Sequence, residues 1–370
     1  MDFSDIIKKY ESIDFENVLS SVSAEQVKSV LAKDVLGSDD FLTLLSPAAV
    51  SCLEVIAERA CKNTLCNFGK TIQLYTPLYV SDFCDNHCLY CGYNANVKTA
   101  RKKLTLDEVE QAAMRIASTG LKHILILTGG SQRMSPVSYI SDCVGVLKKY
   151  FSSISIEIYP VSEDEYSQFI KLGVDALTIY QETYDRNIYD SVHPRGSKKD
   201  YFFRLNAPDR ALRQNIRAIN IGALLGLNDF RVDGFLTGLH AEYLQDNFPF
   251  AEISVSVPRI RQTVARYTPS FNVTDRDVVQ LILALRMFLP RVGINLSTRE
   301  SPAFRDNMLA LGVTKLSAQS VTSVAGWLPN SDTDGMLEQF STCDKRSVKD
   351  IGKLLKDKGY QPVFKDWINI

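Results

Sequence analysis

HILILTGGSQRMSPVSYISDCVGVLKKYFSSISIEIYP, residues 123–160, decides the fold. It opens on an apolar run, HILILTG (123–129), passes through PVSYISDCVGVLKKYF with apolar residues at three- and four-residue spacing, and closes on a second run, ISIEIYP (154–160). Two strands joined by a crossover helix form a parallel pair, and parallel strands need cover on both faces. Outward from this unit the alternation continues. The other strand-like runs are TIQLYTPLYV (71–80), ALTIYQE (176–182), NIGALLG (220–226), ISVSVP (253–258), GINLSTR (293–299) and TKLSAQS (314–320). Helical patterns separate them: TLDEVEQAAMRIASTG, EDEYSQFIKLG, APDRALRQNIRAI, FRVDGFLTGLHAEYLQ, TDRDVVQLILALRMFL and SPAFRDNMLALG. Eight such units predict an α/β protein, a closed (β/α)8 TIM-type barrel, with an open doubly wound sheet as the alternative.

A barrel fixes where function lies, because sites of this fold are built at the C-terminal ends of the strands. Those ends are the loop after Val80, Thr128 to Ser131, Glu157 to Pro160, Tyr180 to Glu182, Ser256 to Arg259, Ser297 to Glu300 and Ser317 to Ser320. Residues 1–70 read as a helical N-terminal extension, 71–320 as the barrel, and 321–370 as a C-terminal extension closing it, with a polar NSDTDG stretch and one helix, SVKDIGKLLKDKGY. The 370 residues are 45% hydrophobic and 23% charged, which excludes disordered, collagen-like and disulfide-scaffold classes. A net charge of -1 gives no reason to expect nucleic acid or an anionic membrane as partner, so a small-molecule site is the default. The opening MDFSDIIKKYESIDF is not a signal peptide, and no apolar run nears the roughly 18 residues of a membrane span. A cytoplasmic enzyme is expected.

Of eight cysteines, Cys84, Cys88 and Cys91 crowd into the loop after the first strand as Cys-x3-Cys-x2-Cys. Thiolates suit zinc or iron–sulfur sites. A structural zinc site would need a fourth protein ligand, and no second cysteine pair follows; His87 is a candidate, but adjacent His87 and Cys88 converge poorly on one ion. Three cysteines on one loop suit a cubane with one iron left open.

This loop, with Tyr90 before the last cysteine, resembles the signature of the radical S-adenosylmethionine superfamily. The stretches YQETYDRNIYDSVHPRG, FFRLNAPDRAL, GALLGLNDFRVD, INLSTRESPAFRDNMLALGVTKLSA, LEQFSTCDKRS and GYQPVFKDW extend the likeness over nearly the whole chain, to the tyrosine lyases of thiamine biosynthesis. The resemblance implies one 4Fe-4S cluster held by Cys84, Cys88 and Cys91, its open iron binding S-adenosyl-L-methionine, and a radical that cleaves the Cα–Cβ bond of L-tyrosine to 2-iminoacetate and p-cresol. Related hydrogenase-maturation lyases carry a second, C-terminal cluster; with Cys343 alone after residue 320, none is expected here. The resemblance places Tyr90, Gly129, Gly130 and Glu157 beside the cofactor, Ser297 and Arg299 on the substrate carboxylate, and His240 and Tyr180 at the substrate's side chain, with His240 and Arg299 as catalytic candidates.

The residues themselves leave alternatives. An Arg among hydroxyls suits a carboxylate clamp, the alternative being a rim ion pair of Arg299 with Glu300 or an Asp; Arg305 and Asp306 read as structural ion pairs. A lone helix histidine such as His240 is as readily a packing residue. His193 and Arg195 read as a lid or anion contact, or as a solvated loop. Three departures from the family are plain: Gly130 replaces the usual carboxylate; Gln319 to Trp327 is bulkier than the usual glycine-rich segment; and the sixth strand ends Val257-Pro258-Arg259-Ile260-Arg261-Gln262 where Pro-Arg-x-Arg-Pro is usual. The second motivates a rival substrate, another aromatic amino acid such as tryptophan; the first motivates a non-catalytic metal-binding scaffold. A flavodoxin or ferredoxin donor and a thiazole synthase subunit are implied partners.

Overall fold

The computed structural model describes residues 2–261, 263, 265–329 and 337–365. The NSDTDG stretch (330–335), Gln262 and Trp367 fall outside the described residues. The barrel strands are β1 (Thr71–Ser81), β2 (His123–Thr128), β3 (Ser153–Glu157), β4 (Ala176–Thr178), β5 (Ala218–Gly222), β6 (Glu252–Ser256), β7 (Gly293–Leu296) and β8 (Lys315–Ser317). They are parallel in the order β1 to β8, and pairing of β1 with both β2 and β8 closes the ring. A short β9 (Gln361–Val363) adds to the start of β1, at the N-terminal rim. Three residues containing Pro362 carry too weak a strand signal to be read from sequence.

Helix starts follow their caps. Thr105, Ser162, Thr274 and Ser347 each close a capping box with the acidic residue three positions on, which fixes the turn from the preceding segment into the helix. Strand ends differ more. The strand-like runs at β3, β4, β5, β7 and β8 overshoot the ladder by three or four residues, because the extended chain leaves the sheet there to build the mouth.

The apolar core lies between the strands and the helices, where Ile126, Ile156, Leu177, Val255, Ile294 and Leu316 are at most 1% exposed. The barrel interior is polar instead. Ser155, Thr178, Asn220, Ser254, Asn295 and Lys315 line its lower half, where barrels usually stack branched aliphatic side chains. Asn220 Nδ2 donates to Ser256 Oγ (2.9 Å) and its Oδ1 accepts from Ser254 Oγ (3.2 Å), so the polar layer is internally bonded. Strands such as Ser153-Ile154-Ser155-Ile156 thus alternate rather than run continuously apolar, with isoleucines outward.

The N-terminal helices (Phe3–Ile7, Phe15–Ser21, Ala24–Leu31, Ser38–Leu45 and Leu53–Phe68) cover the outside of the barrel, packing on helices Phe230–Asn247 and Asp275–Phe288. Phe41 stacks on Phe288 at 4.6 Å, and the Gln280 amide donates to the carbonyls of Leu44 and Ser46 where two helices break apart (2.9 Å each). Phe41 fits only because residue 238 is glycine: a Cβ there would overlap the Phe41 ring. Gly238→Ala should destabilise the fold by about 1–3 kcal/mol in chemical denaturation. Gly145→Ala, on an exposed helix face with open space around it, should instead gain about 0.5–1 kcal/mol. No single helix among the described residues is long and apolar enough to cross a membrane.

Candidate active site

After β1 the chain has no ladder to satisfy it, so side chains hold the cysteine loop. The Arg101 guanidinium donates to the carbonyls of Asp82 (2.8 Å), Tyr93 (3.1 Å), Asn94 (2.7 Å) and Val97 (3.2 Å). Asn94 Nδ2 donates to the Cys88 carbonyl (2.9 Å). Asn86 Oδ1 accepts from the Lys198 amide (2.8 Å), tying the loop to the segment before residue 200.

Gly129 and Gly130 lie directly beneath this loop. A Cβ at Gly129 would overlap the Phe83 carbonyl, and one at Gly130 the Asn86 amide. These glycines therefore serve close packing of β2 against the cysteine loop, and at position 130 the Asn86 side chain fills the space a side chain would need. The carboxylates of this chamber come from elsewhere, from Glu157 and Glu182.

The three cysteines fit a cluster. Among the described residues no three His, Cys, Asp or Glu side chains stand close enough to hold one metal ion, whereas a cubane bound one iron per thiolate needs its ligands spread wider. Burial pushes the Cys88 thiol up to about 11 and the Cys91 thiol up to about 12, so both are poor thiolates unless a cation such as iron stabilises the charge. Gly129, Gly130, Ser197 and Arg204 complete the chamber over them, a polar pocket able to seat the charged end of a cofactor.

A second chamber, about 990 Å³ of empty space partly open to solvent, fills the barrel mouth. Cys91, Glu157, Glu182, Lys198 and Gln339 border both chambers. Tyr180, Ser297 and Arg299 face the second one with Phe340. Arg299 forms no ion pair among the described residues; its guanidinium lies 3.3 Å from the Phe340 ring centroid, and its amide donates to Ser297 Oγ (3.3 Å). Glu300 is taken instead by Arg259 (3.0 Å from Nε) and Arg261 (2.9 Å). Arg305 pairs with Asp344, and Asp306 with Arg346. Tyr180 OH donates to Ser256 Oγ (3.2 Å), which leaves its ring against the cavity.

Glu182 sits at φ 75°, left-handed for a non-glycine residue, with its carbonyl accepting from the Leu224 amide (2.7 Å). Asp233 fixes this turn by accepting from the Thr183 hydroxyl (3.1 Å) and the Tyr184 amide (2.9 Å). Burial opposes charge on Glu182, but Lys198 (2.5 Å) and Arg204 (3.6 Å) outweigh it and lower its pKa. Glu157 has no such partner: burial and the neighbouring Glu182 charge raise it to about 7 against the pull of Arg299.

Two histidines sit differently from expectation. His240 does not reach either chamber. Its ring stacks on Phe3 at 4.2 Å and its Nδ1 bonds Tyr184 OH (3.0 Å), under the N-terminal helices outside the barrel. Burial pushes its pKa down to about 3, leaving a neutral packing residue. His193 is neither lid nor solvated: Nδ1 bonds the Tyr189 carbonyl (2.8 Å), and Nε2 accepts from Tyr90 OH (2.7 Å), fixing Tyr90 against the cysteine loop.

Residues missed from sequence include Lys198, Arg204, Gln339 and Phe340. Gln339 Oε1 accepts from Tyr79 OH (2.7 Å) and its carbonyl from the Gly92 amide (3.0 Å), bringing the C-terminal segment onto the cluster loop. Only the LEQF and FFRLN stretches hinted at them.

Residues 78–237 match the radical SAM superfamily, and residues 256–361 the biotin and thiamin synthesis associated domain. The chain is 37% identical to the 2-iminoacetate synthase of Escherichia coli over 99% of its length and 96% of that protein. It superposes on the FeFe-hydrogenase maturase HydG from Carboxydothermus hydrogenoformans with a TM-score of 0.85 at 28% identity, covering 98% of this chain and 83% of that one. Methylornithine synthase (PylB) shares the fold, with a TM-score of 0.71 at 22% identity over 91% and 97% of the two chains. With its cysteine loop at the mouth of a closed parallel barrel and this likeness end to end, the chain belongs to the 2-iminoacetate synthase family of radical SAM carbon–carbon lyases.

Proposed function

We propose that this enzyme cleaves the Cα–Cβ bond of free L-tyrosine, yielding 2-iminoacetate for thiazole formation and p-cresol. The observation that carries this reading is the mouth cavity, which sets an arginine without a direct ion pair among the described residues beside the cysteine chamber. S-adenosyl-L-methionine on a single 4Fe-4S cluster supplies, on one-electron reduction, the 5′-deoxyadenosyl radical that starts the reaction. Cys84, Cys88 and Cys91 hold the cluster, and Tyr90, Gly129 and Gly130 border the cofactor. Arg299 and Ser297 take the substrate carboxylate, and Phe340 keeps the guanidinium flat and desolvated for a bidentate contact. The rings of Tyr75 and Tyr180, with Leu125 and Leu127, offer a largely apolar wall for a phenol side chain. Gln339 and Phe340 cover the mouth and shield it from water.

The bulky segment after β8 does not argue for tryptophan. Of Gln319 to Trp327 only Ser320 lines the cavity; Trp327 is buried, its carbonyl accepting from Arg115 of the outer helix Leu106–Ala117 (3.2 Å). Because the imine hydrolyses in water, transfer to a thiazole synthase subunit and reduction by a flavodoxin or ferredoxin in the cytoplasm complete the reading. Anaerobic incubation with tyrosine or tryptophan, offered separately, tests the substrate. p-Cresol from tyrosine alone is expected; 3-methylindole from tryptophan in its place would move the assignment.

A further inference from the structure

Glu157 ends β3, and Arg299 follows β7. Three strands separate them on either side of the ring of eight, so the two side chains reach into the mouth from opposite walls. Among the described residues the other carboxylates at the mouth are spoken for: Glu182 by Lys198 and Arg204, Glu300 by Arg259 and Arg261. Glu157 hydrogen-bonds to no described residue, although it borders both chambers and is largely enclosed.

A free amino acid presents a carboxylate and an ammonium to its site. A buried ammonium needs an anionic partner, just as the carboxylate needs Arg299. We infer that Glu157 receives the amino group of the substrate, opposite Arg299 at its carboxylate, and accepts the proton that group sheds on binding. This rests on the amino acid lyase reading above. The step moves one proton: an N–H bond of the –NH3+ group breaks, an O–H bond forms on the Glu157 carboxylate, and –NH2 and –COOH result, with no electrons transferred. The neutral amine is then held at the boundary of the cofactor chamber.

The charged and titratable groups facing Glu157 are Glu182, Arg299, Arg204 and Lys198, with the phenols of Tyr75, Tyr79 and Tyr180. Burial and Glu182 raise its proton affinity and the three cations lower it, leaving it near 7, a range suited to receiving a proton at neutral pH. The base must be ionised to act, so turnover should rise with pH through about 7 and then level off.

The test uses anaerobic protein carrying its cluster and S-adenosyl-L-methionine, without reductant. Equilibrium binding of L-tyrosine is compared with that of 3-(4-hydroxyphenyl)propanoate, which lacks the amino group. Glu157→Gln should weaken tyrosine binding by about 10- to 100-fold while leaving the propanoate within about twofold, a result that also shows the variant cavity to be intact. Glu157→Asp should recover part of the loss, and the rising pH limb of turnover should vanish in the Gln variant alone. Tyrosine bound as tightly by Glu157→Gln as by the unaltered protein would overturn the inference. Failure of the unaltered protein to bind either ligand would overturn the tyrosine reading itself, and the inference with it.

Discussion

Cys88→Ala protein, purified and reconstituted without oxygen, should emerge colourless, lacking the thiolate-to-iron absorption of the unaltered protein and forming no 5′-deoxyadenosine above background. Cys88 is 5% exposed, and its backbone is fixed from both sides: Asn94 binds its carbonyl (2.9 Å), and the next residue's amide donates to Val192 (3.1 Å). Nothing nearby replaces the lost thiolate. Among the described residues no set of His, Cys, Asp or Glu side chains stands close enough to hold a metal ion in its place, and the remaining cysteines lie on other helices or segments. Removing one sulfur from a loop already held by Arg101 and Asn86 should leave far-UV circular dichroism unchanged, which separates loss of the cluster from loss of the fold. Unchanged iron content and colour in the variant, or firmly bound zinc in the unaltered protein, would remove the cysteine loop from the chemistry.

Arg299→Ala should raise the dissociation constant for tyrosine by about 30- to 1000-fold, equivalent to about 2–4 kcal/mol, without loss of cluster. The magnitude follows from burial. The guanidinium is enclosed at the barrel mouth and stacked on Phe340; among the described residues no carboxylate contacts it as an ion pair, and Glu182 and Glu157 act on it only through space. A carboxylate arriving there meets a desolvated fork of donors rather than a hydrated surface charge. Arg299→Lys should recover little, since a lysine offers one point charge and no planar pair of donors. Phe340→Ala should cost less, about 0.5–2 kcal/mol, through the lost face contact. Calorimetric titration of tyrosine into the three variants gives the order directly. Equal affinities would mean that the substrate carboxylate lies elsewhere.

The barrel was legible because each βα unit carries its own signal, an apolar run and a helical period, four of them with a capping box at the helix start, and eight such units admit few arrangements. The cysteine loop was legible because its spacing is local. What failed to show is non-local. Helix Phe230–Asn247 is buried over most of its circumference, since N-terminal helices cover its outer side, so its periodicity has no polar face to say which way His240 points. Gln339 and Phe340 reach the mouth by folding back across more than 240 residues to β1 and the cysteine loop, and no sequence period records that return. Gly130 looked like a missing carboxylate. The Asn86 side chain now occupies the space beside it, so a residue larger than glycine would have to displace that amide, and Glu157 and Glu182 supply acid to the chamber from neighbouring strands. The polar barrel interior was partly visible in the serines of β3 and β6, but alternation within three- to five-residue strands is too short to separate from noise.

The central claim is that one cavity couples a cluster-bound cofactor to an amino acid held by Arg299. Quantifying 5′-deoxyadenosine, p-cresol and glyoxylate, the hydrolysis product of the imine, in one anaerobic reaction with tyrosine, S-adenosyl-L-methionine and dithionite tests it most directly. Equal amounts of all three are expected, rising together with time. 5′-Deoxyadenosine formed from protein with an intact cluster while p-cresol and glyoxylate stay at background would contradict it.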